Sequence, residues 1–172
     1  ALSSAIGKDR FDLAHRYIAS AFWGLMTISL LSLALIVTLW SLIDWGTVFN
    51  VDSPLLEQEI SNTMVLAICI FFVTMLLSIT KQILLAHQEG ATANLWQLLI
   101  SAASVAGLYM ATRTEGGLLS LVIGFSGAQA FVLFLSFIWL FTSSKPHLHP
   151  FIRPNWLDAK YVFALSGMFA VN

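Results

Sequence analysis

The residues of this sequence that could do chemistry are few, and most lie in two short polar segments. One segment contains His87, Gln88 and Glu89, and the other contains His147 and His149. Histidine and carboxylate side chains can bind a metal ion, but two histidines without a third ligand nearby fall short of the usual ligand count. We therefore interpret both segments as solvated helix ends and loops, and we expect neither a metal nor a cofactor.

Four amide side chains within apolar runs are the candidates for contact with a transported substrate. They are Asn62, Gln97, Gln129 and Asn172. An amide in hydrocarbon needs a hydrogen-bonding partner, so each either joins two helices or faces a polar cavity. Gln129 lies nearest the middle of its apolar run and is the best candidate for the cavity.

Ionisable residues are missing from the middle of every complete apolar run. In membrane proteins such residues mark ion paths and proton relays. Their absence argues against a coupling-ion site or a voltage sensor in this part of the protein. The sequence also has no glycine-rich phosphate loop and no nucleophile elbow, so we expect no enzymatic activity.

The composition indicates an integral membrane protein. Of the 172 residues, 58% are hydrophobic and 10% are charged, whereas soluble domains carry about 25% charged residues. The net charge of −1 gives no reason to expect a nucleic-acid partner. Four apolar runs have about the length of a membrane-spanning helix: Tyr17–Ile43, Ile60–Ile79, Leu95–Thr112 and Leu118–Thr142. Because no run alternates with a period of two, the predicted fold is an all-α polytopic bundle.

Lysine and arginine are distributed unevenly between the loops. Segments 1–16, 80–94 and 143–160 contain seven of the eight, and segments 44–59 and 113–117 contain one. The positive-inside rule therefore places the first three segments in the cytoplasm and the other two outside.

Several residues have the types that begin or end helices. Ser53 and Pro54 are typical of an N-cap and a first helical residue. Gly90 is suited to the position after a helix end, and Asn94 to the N-cap of the next span, with Gln97 reaching back to it. On this interpretation, segment 80–94 is a polar turn.

Small residues at a spacing of four occur in two consecutive spans. They are Ala103, Gly107 and Ala111 in one span, and Ser120, Gly124 and Ala128 in the next. Small side chains at this spacing allow helices to approach closely. With the short turn 113–117 between them, the two spans should pack as an antiparallel hairpin.

Three stretches resemble a known family. The first is ALSSAIGKDRFDLAHRYIASAFWGLM, where the match is carried by Ala5, Gly7, Asp9, Arg10, Ala14 and Arg16. The second is KQILLAHQEGATANLWQLLISAASVAGLYM, where it is carried by Lys81, Leu85, Ala86, Gln88 and Asn94. The third is EGGLLSLVIGFSGAQAF. Together they resemble the polysaccharide flippases of the MOP exporter superfamily, which export O-antigen and exopolysaccharide.

The resemblance implies a two-lobed transporter of 12–14 spans, of which this chain holds about spans three to seven. Residues 1–142 would belong to the N-terminal lobe, 143–160 to a cytoplasmic interlobe loop and 161–172 to a truncated span of the C-terminal lobe. We therefore expect a fragment of a longer protein. The implied activity is flipping of a polyprenyl-diphosphate-linked oligosaccharide across the bacterial inner (plasma) membrane by alternating access. The implied partners are this lipid, the bilayer and the polysaccharide polymerase or export machinery.

Two other functional classes remain open at the level of sequence. One is a multidrug or toxin exporter of the same superfamily. The other is a membrane enzyme or scaffold of polysaccharide assembly.

Overall fold

The computed structural model of the protein describes residues 11–51, 53–114 and 116–148, and this part of the chain is helical without any strand. The α-helices are α1 (Phe11–Leu39), α2 (Trp45–Phe49), α3 (Pro54–Leu77), α4 (Ile79–Ala86), α5 (Gly90–Ala111), α6 (Gly117–Val122) and α7 (Ala128–Trp139). A π-helical turn, Ile123–Gly127, joins α6 to α7, and a second one, Leu140–Ser144, follows α7. Short 3-10 turns occur at Trp40–Leu42 and Pro146–Leu148.

Four helical segments in the described ranges are long and apolar enough to cross a membrane. They are Ala14–Leu39, Pro54–Ala86, Gly90–Ala111 and Gly117–Ser144. The predicted all-α polytopic membrane fold is thereby confirmed. The second segment has 33 residues, which corresponds to about 50 Å at 1.5 Å per residue and exceeds the hydrocarbon thickness of about 30 Å.

The predicted start of the helix that leads into the second span is confirmed. Ser53 is the N-cap residue and Pro54 is the first residue of α3. Proline suits this position because its fixed φ is already helical and its missing N–H would have no partner there.

The predicted turn over residues 80–94 is wrong for most of its length. The chain continues through Ser78 into α4, and α5 already begins at Gly90, so Gly90 does not end a helix and Asn94 is not an N-cap. Gln88 takes the left-handed conformation in the turn, with φ of 61°. Burial explains the longer helix: Ile83 and Leu84 are fully buried, and packing overrides the polar character of their neighbours.

The main core lies where α1, α4, α5 and the end of α7 meet. It contains Ile18, Phe22, Ile79, Ile83, Leu84, Ala93, Leu140, Phe141 and Leu148. Aromatic rings continue it, with Phe137 4.8 Å from Phe141 and Trp96 5.7 Å from Trp139 between ring centroids. This cluster fixes the relative positions of α4, α5 and α7.

The last two spans form the antiparallel hairpin that their short turn implies. Ala93 shares a cluster with Leu140, Ile100 shares another with Leu133, and Gly107 lies against Gly124. The partner's residue number falls as the first number rises, as it must between antiparallel helices.

Large apolar side chains cover the outside of the bundle. Leu31, Val37, Phe71, Val105 and Phe131 each expose more than 60% of their surface. Soluble monomers rarely expose such extensive apolar surface. The faces that carry these side chains suit contact with lipid, in agreement with the four membrane-spanning segments.

Candidate functional site

A cavity of about 370 Å³ lies between α3, α4, α5 and α7. Its volume is near the lower end of the range for ligand pockets, about 300–1,000 Å³. Its apolar lining includes Phe71, Met75, Ile100 and Leu133. Polar side chains are interleaved with these and include Thr80, Lys81, Gln97, Gln129 and Ser136. The cavity can therefore surround a molecule that has both an apolar and a polar part.

Lys81 contributes a positive charge to the lining of the cavity. Its ammonium nitrogen donates a hydrogen bond to Gln97 Oε1 at 3.1 Å, which links α4 to α5. Within residues 11–51, 53–114 and 116–148, no carboxylate forms an ion pair with Lys81. The amide is neutral, so the lysine charge stays uncompensated by the side chains described.

Thr80 contributes a hydroxyl group without a partner among the described residues to the lining of the same cavity. The residue is 2% exposed, and its Oγ1 forms no hydrogen bond with the described part of the chain. Ser136, on the facing helix, is equally buried but donates to the carbonyl of Leu133 at 2.7 Å. A buried hydroxyl without a partner costs about 1–3 kcal/mol, so Thr80 is the least satisfied polar group of the cavity.

The structure brings together two of the four predicted amides. Gln97 and Gln129 both line the cavity, on α5 and α7. Asn62 lies on the exposed surface of the N-terminal half of α3, away from the residues that line the cavity. Asn172 lies outside the described residues.

The small residues predicted to pack lie at one helix crossing or near it. A Cβ on Gly107 would lie 2.9 Å from Ala128 Cβ, and a Cβ on Gly124 would lie 2.7 Å from Ala111 Cβ. Each glycine also faces the backbone carbonyl of the other at a distance that admits no side chain. Ala103 is half-buried on α5. The Ser120 hydroxyl donates to Gly117 O at 2.9 Å within its own helix.

Sequence reasoning missed two contacts between distant segments that flank the bundle. Glu89, in the turn before α5, forms an ion pair with Lys145 at 2.6 Å. At the other end, Glu59 Oε1 accepts a hydrogen bond from the backbone N–H of Leu118 at 2.8 Å, beside Gly117 with φ of 61°. The sequence signal for both was only a charged residue next to a span. The pairing itself is visible only in three dimensions.

The histidines form no metal centre in the described residues. Nδ1 of His87 lies 2.9 Å from the carbonyl oxygen of Ile83, one turn earlier. No cluster of three or more His, Cys, Asp or Glu side chains occurs in this part of the chain. His149 lies outside it, and the side chain of His147 is not described.

At the far end of α1, Asp44 begins the short helix α2. Its carboxylate accepts hydrogen bonds from the hydroxyl of Thr47 at 2.8 Å and from the backbone N–H of Thr47 at 3.2 Å. The hydroxyl first, and then the backbone N–H, lower the pKa of Asp44 below its ordinary value. This is an N-cap arrangement, and it explains the turn after α1 without a ligand.

Comparison with known proteins finds no matching family model, no matching curated protein and no matching solved structure.

Proposed function

We propose that this chain is part of a transporter that moves a polyprenyl-diphosphate-linked oligosaccharide from the inner to the outer leaflet of a bacterial plasma membrane. Residues 1–142 belong to the N-terminal lobe of this proposed transporter, 143–160 to an interlobe loop and 161–172 to the second lobe. Transport proceeds by alternating access, without an enzymatic step.

The mixed lining of the cavity carries this proposal. Phe71 and Met75 contribute apolar surface to it, and Gln97 and Gln129 contribute amide groups. A lipid-linked sugar is amphiphilic in the same sense, with a hydrocarbon chain joined to a polar headgroup. Polar groups inside a membrane bundle are expensive unless they have a use or a partner, so their collection around one space supports a transport pathway.

Two internal contacts agree with the proposed grouping of the segments on two sides of the membrane. The Glu89–Lys145 ion pair joins segments 80–94 and 143–160, both of which the positive-inside rule places in the cytoplasm. The Glu59–Leu118 hydrogen bond joins the beginnings of α3 and α6, next to the two segments proposed to lie outside. Each contact thus links segments that the charge distribution assigns to the same side.

The test is deletion of the full-length gene, followed by mass spectrometry of the lipid-linked oligosaccharide. A membrane-impermeant glycosidase, added to intact cells, distinguishes the outer from the inner leaflet. We expect the lipid-linked sugar to accumulate in the protected inner leaflet and surface polysaccharide to be lost. Re-expression of the intact gene should restore both.

Other outcomes contradict the proposal and point to the remaining classes. Normal surface polysaccharide with increased sensitivity to cationic drugs would indicate a multidrug exporter. Loss of polysaccharide with the lipid-linked sugar fully exposed on the outer leaflet would indicate an enzyme or scaffold acting after flipping.

A further inference from the structure

We propose that Lys81 and Thr80 form a binding site for the phosphate of a lipid headgroup, with the hydrocarbon chain of the lipid against the apolar side chains that line the cavity. This inference rests on the proposed function insofar as it names the part of the substrate that the cavity holds. The chemistry is shared by a polyprenyl diphosphate and by an anionic phospholipid of the bilayer.

The uncompensated charge of Lys81 is the first reason. The other lysine among the described residues, Lys145, has Glu89 as its counter-ion at 2.6 Å, whereas Lys81 donates a hydrogen bond to the neutral Gln97. An ammonium group has three N–H donors. One is directed to Gln97, so two remain for an anion, and lysine is a common phosphate ligand.

The hydroxyl of Thr80 is the second reason, and it is independent of charge. It is adjacent to Lys81 in the sequence, lines the same cavity and is a buried polar group without a partner in the described part of the chain. Native proteins satisfy nearly all buried polar groups, and the exceptions require an explanation. A phosphate oxygen held by Lys81 would accept the hydrogen bond that Thr80 can donate.

The apolar side chains that line the cavity favour a lipid over a free anion. Phe71 lies ten residues before Lys81 in the same continuous segment, which is about 15 Å along a helix. Lys81 lies close to the end of that segment, whereas Phe71 lies deeper. Phe71 is 61% exposed, so the cavity is open beside this residue. A lipid entering there would have its headgroup at Lys81 and its chain at Phe71.

The experiment is a binding titration of the full-length protein in dodecyl maltoside, a detergent without phosphate. The probes are polyprenyl diphosphate, phosphatidic acid and inorganic diphosphate, and native mass spectrometry counts the bound molecules. A brominated-chain phosphatidic acid should also quench the fluorescence of Trp96, which lines the cavity. The part of the quenching that is present in the unchanged protein and absent in Trp96→Phe then measures lipid binding at this cavity.

Four variants isolate the two groups. Lys81→Gln should weaken binding of the lipid phosphate about 10- to 100-fold, because hydrogen bonds to charged groups contribute most. Thr80→Val, of the same shape, should weaken it about 3- to 10-fold. The other two variants are controls. Arg113→Gln removes a positive charge after the C-terminal end of α5, away from the cavity, and Thr63→Val removes a buried hydroxyl on α3 that does not line the cavity. Both controls should bind within about twofold of the unchanged protein.

A fifth variant, Lys81→Arg, guards against misfolding, since it keeps the charge and should retain binding. The proposal is overturned if Lys81→Gln and Arg113→Gln weaken binding equally, if no lipid phosphate binds, or if inorganic diphosphate binds as tightly as the lipids.

The two proposals fail separately. Phosphatidic acid bound through Lys81, with no binding of polyprenyl diphosphate, would support this site and contradict the proposed cargo. Polyprenyl diphosphate bound equally well by Lys81→Gln would retain the cargo and overturn this site.

Discussion

Thr80 combines two properties that a purely structural side chain would not combine. Its hydroxyl is buried and has no partner among the residues that the structure describes, so it destabilises the ligand-free protein, and it lines the cavity, where a ligand can satisfy it. Replacement of this hydroxyl by a methyl group removes an unsatisfied polar atom without changing the volume.

We therefore predict that Thr80→Val stabilises the empty protein. The free energy of unfolding in mixed micelles should rise by about 1 kcal/mol, because the cost of the unpaired hydroxyl disappears. Thr63→Val is the matched control: Thr63 is also buried, but its hydroxyl donates to the carbonyl of Glu59 at 2.7 Å. That variant should lose about 1 kcal/mol. Equal destabilisation by both changes would show that Thr80 has a partner in the folded protein.

Glu59 stabilises the start of α6 from a different helix. Its carboxylate accepts the N–H of Leu118, one of the helix-start donors that have no partner within the helix. Glu59→Ala should reduce the free energy of unfolding by about 1–2 kcal/mol. The neighbouring Gln58 is exposed, so Gln58→Ala should change it by less than about 0.5 kcal/mol. Both values come from the same unfolding titration, and a Glu59 effect as small as that of Gln58 would contradict the assigned contact.

At the scale of helices, the crossing of α5 with the turn Ile123–Gly127 depends on the absence of side chains. Gly107 and Gly124 each face the other's backbone carbonyl, so an added methyl group would have to move a helix. Gly107→Ala or Gly124→Ala should destabilise the protein by about 1–3 kcal/mol through overpacking.

Gly90 is the control for this prediction. A Cβ at Gly90 would meet no atom within 4 Å. Gly90→Ala should therefore cause no loss, and it should raise the free energy of unfolding by up to about 1 kcal/mol. If Gly107→Ala were as harmless as Gly90→Ala, the close approach of the two helices would be disproved.

The sequence was sufficient to predict the four spans, because the helix is the common structure of long apolar runs in lipid. It was insufficient around residues 80–94. There, polar residues suggested a turn, but the burial of Ile83 and Leu84 keeps the chain helical, and this continuation brings Lys81 to the cavity. Similarly, Gln97 and Asn62 are equivalent as amides in apolar runs. Only the position of each amide along its helix and the rotation of that helix about its axis decide which one faces the cavity.

At the scale of the whole molecule, the two ends of the bundle differ in construction. One end holds the main core, the Glu89–Lys145 ion pair and the cavity residues Thr80 and Lys81. The other end is held by the Glu59–Leu118 contact and by the cap of α2 at Asp44. A cavity with Lys81 near one end suits a pathway that loads its cargo from that side.

The orientation of the whole molecule gives the last prediction. Ser143 and Gln58 are both exposed and lie near opposite ends of the bundle. In a background in which Cys69, the one cysteine of this sequence, and any cysteine outside this sequence are replaced by alanine, a membrane-impermeant maleimide should label Gln58→Cys in intact spheroplasts. It should label Ser143→Cys only after permeabilisation, because segment 143–160 is proposed to be cytoplasmic. The protein with its natural Cys69 is the control for labelling within the bilayer: this residue lies in the apolar part of α3 and should remain unlabelled before and after permeabilisation. The opposite labelling pattern would show that the topology is the inverse of the proposed one. The cavity would then be loaded from the other side of the membrane.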